Sequence, residues 1–193
     1  MANLTAAGVR KSVAGLCLIL TLAGVGVACS KGGGSAKEAE KRLKAGLQAQ
    51  VDGKLDVAAE NYRAVLKVEK DNKFAIYNLG LIDQRNGALT DAELKYRRVL
   101  QIDPNYEPAL FNLGIIRNLR GDKQEAIRLY RQAIAANDKD APAHLNLGLL
   151  LKEAGDMTVG DAEIQRAGQL DPKLVSASTT TTAHPVTTTT KKP

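Results

Sequence analysis

Apolar residues fall into two distinct patterns along this chain. Between Ser12 and Ala28 they form a charge-free run of 17 residues behind the basic pair Arg10 and Lys11. From about residue 39 to 172 they come as pairs four residues apart: Leu43 and Leu47, Tyr77 and Leu81, Phe111 and Ile115, Leu145 and Leu149. Residues four apart share one face of a helix, so each pair predicts an amphipathic helix with an apolar stripe. Ala58, Ala92 and Ala126 are each followed four residues later by a tyrosine, Tyr62, Tyr96 and Tyr130, and predict a second set of helices.

These elements recur every 34 residues. Gly46, Gly80, Gly114 and Gly148 keep that step, and so do Gly53, Gly87, Gly121 and Gly155, with Val65, Val99, Ala133 and Ala167 in the same register. Leu79-Gly80 returns as Leu113-Gly114 and Leu147-Gly148. Each unit reads as helix, short turn, helix. Gly87, Gly121 and Gly155 stand where a left-handed residue ends the first helix. Thr90 with Glu93, and Asp122 with Glu125, have the spacing of a capping box opening the second. Pro108 and Pro142 suit the start of the next first helix, where the missing N–H is not needed. Gly80 and Ala92 are small where the two helices approach closely, and Tyr96 fills the wider gap beside them. The units predicted are 39–72, 73–106, 107–140 and 141–172.

Residues of these kinds at this period resemble the tetratricopeptide repeat family. The resemblance implies an all-α fold, a right-handed α-solenoid of about four helix-turn-helix repeats. The first unit departs from the pattern with Arg42-Leu43-Lys44-Ala45-Gly46, and the last with Gly160 and Ile164 in place of alanine and tyrosine. In this family the inner surface of the first helices is the usual binding face. A helical residue turns about 100°, so Asn78 lies about 200° from Gly80, facing the hollow, and Asn112 and Asn146 repeat the placement. The groove residues expected are therefore Tyr77, Asn78, Leu81, Phe111, Asn112, Ile115, Leu145, Asn146 and Leu149. The asparagine row resembles one that grips peptide backbones in some members, and the apolar pairs would take a protein or peptide partner's side chains. The alternative has the asparagines orienting neighbouring repeats and part of the stripe as inter-repeat core. The basic clamp by which some relatives hold a terminal carboxylate is not evident.

A second candidate surface is the end of the stack. After Asp171-Pro172 only Lys173-Leu174-Val175 precede a Thr-rich tail, so the apolar side of the last helix is expected to lie open, weakened by Gly160 and Gly168. Self-association into a homo-oligomer through that end is the rival function.

The flanks carry addressing information. The apolar run is marginal for a membrane span, which needs about 20 residues, and suits a secretory signal over 1–28. Gly26-Val27-Ala28-Cys29 resembles the lipobox of bacterial lipoproteins, although Gly26 stands where leucine is usual. That resemblance implies lipidation of Cys29, export, and a membrane-anchored place in the bacterial cell envelope. A plain signal peptide or an uncleaved anchor are the alternatives. Residues 29–38 are expected to be the lipidated Cys and a Gly/Ser tether, and 173–193 a disordered tail. The chain bears 27 Lys and Arg against 21 Asp and Glu, a formal charge of +6. All 21 acidic residues lie between 38 and 172 beside only 20 basic ones, so the repeats carry −1 and no nucleic-acid partner is expected. With His144 and His184 as the only histidines, and no phosphate loop or nucleophile elbow, neither catalytic residue, metal site nor cofactor is expected.

Overall fold

The computed structural model of the protein describes residues 31–174. The signal segment, Cys29 and nearly all of the tail lie outside the described residues. The described residues hold α1 (Lys31–Val51), α2 (Leu55–Val68), α3 (Lys73–Arg85), α4 (Leu89–Ile102), α5 (Glu107–Leu119), α6 (Lys123–Ala136), α7 (Ala141–Glu153) and α8 (Met157–Leu170), become helical again at 172–174, and contain no strand. Consecutive helices pack as four hairpins, and the second helix of each hairpin packs on the first helix of the next.

The turn inside each hairpin is closed by local chemistry. Gly87 has φ of 78°, and its N–H donates to the Gln84 carbonyl at 3.1 Å, while Ala88 N–H donates to the Asp83 carbonyl at 2.9 Å. This pair of bonds satisfies the last carbonyls of the helix and needs a left-handed residue, which glycine adopts without a Cβ penalty. Gly53, Gly121 and Gly155 repeat the arrangement. The second helices start less uniformly. Asp122 accepts from Glu125 N–H at 3.4 Å, and Asp156 from Val159 N–H at 3.2 Å. The box expected of Thr90 and Glu93 does not form: Ala88 is the cap residue of α4, Thr90 accepts from Arg120, and Glu93 is turned into the seam with the next repeat. The physical reason is the pull of two guanidinium groups on that carboxylate, stronger than a neutral backbone N–H.

Within the hairpins the tyrosine ring lies directly on the glycine. A Cβ on Gly46, Gly80 or Gly114 would stand 2.6, 2.8 or 2.6 Å from the ring of Tyr62, Tyr96 or Tyr130. The ring therefore occupies the close approach itself rather than a gap beside it. Tyr62 and Tyr96 are fully buried and donate their hydroxyls to Gln50 and Gln84, at 3.0 and 2.7 Å. The fourth hairpin, with Ile164 instead, closes differently. A Cβ on Gly148 would meet the Gly160 carbonyl at 2.7 Å, and one on Gly160 would meet Lys152 Cγ at 2.5 Å. Gly160, expected to weaken α8, is thus the residue that lets α7 and α8 touch backbone to backbone.

The hairpins are joined by two kinds of seam. Between the second and third, Glu93 (9% exposed side chain) pairs with Arg117, Arg120 and Arg97. Between the third and fourth, the same 34-residue positions hold Ile127 and Leu151, both buried in one apolar cluster with Leu147 and Leu150.

Two expectations need correction. Part of the 29–38 tether is helical, since α1 begins at Lys31. Glycine costs about 1 kcal/mol per residue in a helix, but each residue added to an existing helix gains a hydrogen bond, and Glu38–Arg42 and Glu40–Lys44 pairs one turn apart support the segment that follows. The last helix is also only partly an open apolar face. Leu66, Leu100 and Ile134 pack at the repeat seams, and their counterpart in α8 is Gly168; Ile127 is matched by Asp161, which binds Lys152 at 2.6 Å. At these two positions the outward side of α8 lacks the apolar residues that stack elsewhere, while Met157 and Val159 on the same helix are 56% and 42% exposed.

Candidate partner-binding surface

The first helices α1, α3, α5 and α7 stand side by side on one surface, and steps of four residues along each trace a stripe across it. Reading across, the stripes align as rows. One row is Leu43, Tyr77, Phe111 and Leu145; the next is Leu47, Leu81, Ile115 and Leu149. Both rows are wholly apolar. The flanking rows are mixed: Lys73 and Glu107 where α3 and α5 begin, Val51, Arg85, Leu119 and Glu153 where the four helices end.

Exposure divides the expected site residues. Leu149 is 48% exposed, while Tyr77, Leu81, Phe111, Ile115 and Asn146 are half-buried. Leu145, Asn78 and Asn112 are buried, the asparagines at 8% and 9% exposure. The Asn78 amide nitrogen donates to the Phe74 carbonyl at 2.8 Å, and that of Asn112 donates to the Pro108 carbonyl at 2.8 Å and to the Tyr77 hydroxyl at 2.9 Å. Asn146 hydrogen-bonds Tyr130. Asn78 is thus tied to its own helix, Asn112 and Asn146 also link repeat to repeat, and little of the row faces outward. Burial pushes the Tyr77 and Tyr130 hydroxyls up to about 12, so both stay neutral donors and acceptors in this network.

Several exposed apolar side chains were missed. Leu119 is 66% exposed, Val51 82% and Phe74 47%, while Leu47, already in the stripe, is 43% exposed. One more step of four along the stripes, from Leu47 to Val51 and from Ile115 to Leu119, was the signal in the sequence. Phe74 packs edge-on against Tyr106 with ring centroids 6.2 Å apart, and Tyr106 meets Tyr77 at 5.3 Å.

The edge where the first helices begin is charged. Lys73 Nζ donates to Asp103 at 2.6 Å and sits 5.2 Å from the Tyr106 ring centroid, and this hydrogen bond holds the Asp103 carboxyl below its usual range. One repeat on, Glu107 occupies the register of Lys73. Its carboxyl shares a hydrogen bond with Asp140, the cap residue of α7, and burial together with this carboxylate raises Glu107 to about 8.

Elsewhere, polar groups are spoken for. His144 is buried at 6% exposure, its Nδ1 2.6 Å from Glu163 and its Nε2 3.1 Å from the Asp138 carbonyl, so it links α7 to α8 and to the preceding loop. Among the described residues no group of three or more His, Cys, Asp or Glu could hold a metal ion, and no helix is long and apolar enough to cross a membrane. A crevice of 490 Å³ between α4, α5 and α6 is floored by Leu110, Leu113 and Leu129, which are inter-repeat core, and its rim carries the Glu125–Arg128 ion pair. It is a seam of the stack rather than a site.

Stacked helical hairpins with an apolar, catalytically bare first-helix surface define a solenoid scaffold for protein contacts. Tetratricopeptide repeat family models match residues 43–107 and 109–142. The chain belongs to the tetratricopeptide repeat family, whose repeats are protein-interaction modules. No curated relative matches it in sequence. Among solved structures it is similar to the MamA protein, with a TM-score of 0.62 at 24% identity over 74% of this chain and 78% of that one. It is also similar to Pseudomonas aeruginosa PilF, with a TM-score of 0.64 at 18% identity over 72% of this chain and 64% of that one. The Thermobaculum terrenum O-GlcNAc transferase gives a TM-score of 0.57 at 25% identity, over 61% of this chain but 22% of that enzyme.

Proposed function

We propose that this protein is a scaffold of the bacterial cell envelope, tethered to a membrane through lipid on Cys29, that holds a segment of a protein partner on its first-helix face. The observation carrying the reading is the pair of aligned apolar rows, with Leu47 and Leu149 left over 40% exposed at its two ends. Apolar side chains in register across four repeats form a continuous patch, and patches of this kind mark contact surfaces. The repeats carry almost no net charge, whereas the basic residues outside them flank the signal and the tail, in keeping with export. Among the described residues His144 is enclosed by structural partners, and most carboxylates lie on helix surfaces or in ion pairs.

Self-association through the end of the stack is the weaker alternative, because Asp161 and Gly168 replace the apolar residues that stack at the other seams. Site-specific photo-crosslinking in cells separates the two. A crosslinking residue at Leu149 should trap a partner protein, and one at Asp161, on the α8 side, should not. Dimers of this chain trapped at Asp161, with nothing trapped at Leu149, would reverse the assignment. Mass spectrometry of the mature N-terminus should find acylated Cys29; an unmodified or uncleaved terminus removes the tether.

A further inference from the structure

Three of the four first helices bury a face that the remaining one exposes. In α3, α5 and α7, Ala75, Ala109 and Ala143 are fully buried, and seven residues on stand Ile82, Ile116 and Leu150, each no more than 6% exposed. Ala75 and Ile82 share one apolar cluster with Val65 of the repeat before. Among the described residues α1 has no repeat before it, and the same 34-residue register there holds Lys41 and Gln48, with Lys44 where the others have Asn78, Asn112 and Asn146. All three α1 side chains are exposed, as is Lys37. A helix turns about 100° per residue, so Lys37, Lys41, Lys44 and Gln48 lie about 140–200° round from Ala39, which is buried in the cluster shared with α2.

The end of a repeat array has to be polar, but a cap serving solubility alone carries both signs of charge. The outward stripe of α1 carries one. Glu38 and Glu40, on its flanks, are held by Arg42 at 2.8 Å and Lys44 at 2.7 Å, and Asp52, past the end of the helix, by Gln48 at 2.8 Å and Lys54 at 3.5 Å. Lys37 and Lys41 have no carboxylate partner among the described residues. The stripe also falls at a particular place in the chain, because α1 begins two residues past Cys29. At about 1.5 Å per residue, Lys37 lies about 9 Å and Lys44 about 20 Å along the axis from that start. Screened charges reach about 8 Å at physiological ionic strength, so a charged surface meets all three lysines only when the helix lies along it.

We propose that this lysine face is a membrane contact: α1 lies along the bilayer surface, with Lys37, Lys41 and Lys44 against the phosphates of anionic lipids. The assignment rests on the Cys29 tether proposed above and adds how the repeats meet the membrane. An acyl chain together with a basic patch holds a membrane more firmly than either alone, and each lysine near an anionic surface strengthens the attachment. Leu47 lies only about 80° round from Ala39, off the lysine stripe. The apolar rows of the first helices therefore stay open to a protein partner while α1 is on the lipid.

The test uses the full chain reconstituted in vesicles, with a fluorescent amino acid at exposed Ala45 and a quencher attached to the lipid headgroups. Quenching should be strong on vesicles containing phosphatidylglycerol and weak on phosphatidylcholine alone, and about 1 M salt, where charges reach only about 3 Å, should abolish the difference. The triple variant Lys37→Gln, Lys41→Gln, Lys44→Gln should lose the difference with an unchanged thermal melt, because its three positions are exposed. Removing as many cations from the second helices, by Arg63→Gln, Lys67→Gln and Arg131→Gln, should preserve it. Equal quenching on the two kinds of vesicle, or a difference intact in the lysine variant, overturns the proposal. So does a photo-crosslinking residue at Ala45 that traps a second copy of this chain. Mass spectrometry of Cys29 reports separately on the tether: an acyl chain found there while lipid charge has no effect keeps the tether and removes the lysine face.

Discussion

The second and fourth hairpins have the same length and turn chemistry but close differently. In the second, the rigid ring of Tyr96 is laid on Gly80 and anchored by its hydroxyl to Gln84. In the fourth, Ile164 takes the place of the ring, its Cγ1 2.7 Å from where a Cβ on Gly148 would stand, and Gly160 brings its backbone carbonyl equally close. The lesson is that glycine and tyrosine are one unit of packing. Where the ring is replaced by the smaller Ile164, the helices also draw together at Gly160, which has no side chain. A departure from the repeat pattern at Gly160, which looks like decay, is compensation for the departure at Ile164.

The sharpest way to break this comparison is to remove the ring. Tyr96→Ala should cost about 3–5 kcal/mol, read as a drop in urea midpoint by circular dichroism, whereas Ile164→Ala, at a half-buried position, should cost clearly less. Equal losses would mean that the hairpins do not differ in what closes them. Next in size is the seam beside the second hairpin. Glu93→Ala leaves Arg117 and Arg120 without their shared carboxylate and should cost about 3 kcal/mol. The pair Glu93→Ile with Arg117→Leu, which copies Ile127 and Leu151 of the next seam, should lie within about 1 kcal/mol of the parent or above it.

Smaller, and more diagnostic, is a coupling in the fourth hairpin. Gly160→Ala should cost about 1–3 kcal/mol through overpacking, and Ile164→Tyr a similar amount. Combining the two should recover at least about 0.5 kcal/mol of their sum, because the ring reopens the space the new methyl needs; strict additivity would show that Gly160 and Ile164 are independent. The smallest effect is on pH. Glu107 is raised in the folded protein to about 8 from an ordinary value near 4.5, so its contribution to stability is complete below about 4.5 and fades as pH rises towards 8. Glu107→Gln should remove that slope from the melting temperature between pH 5 and 8, and the slope's survival would assign it to another group.

Much of the fold was legible in the residues because it is decided locally. Gly87 needs only its own φ and bonds to Gln84 and Asp83, all within one turn, and the same holds for Gly53, Gly121 and Gly155. Asp122 reaches Glu125 N–H three residues away. The apolar stripes were readable for the same reason, since helical periodicity places Leu81 over Tyr77 without reference to any other element. The candidate site was less legible. Asn78 and Asn112 sit at the angle expected of groove residues, yet the depth to which the neighbouring helices bury them is not a property of angle.

By itself, then, the sequence determined four hairpins, their period, their turns and the apolar rows on the first helices, because each depends on residues within one or two helical turns. Only the tertiary structure decided what the polar side chains do. Glu93 leaves its own helix start for Arg117 and Arg120 in the next repeat, the Asn112 amide bonds to the Tyr77 hydroxyl 35 positions away, and Glu107 meets Asp140 across a seam. A buried polar group must find a partner wherever the packing leaves one, and which partner is within reach is fixed by the stacking of repeats, not by any spacing along the chain.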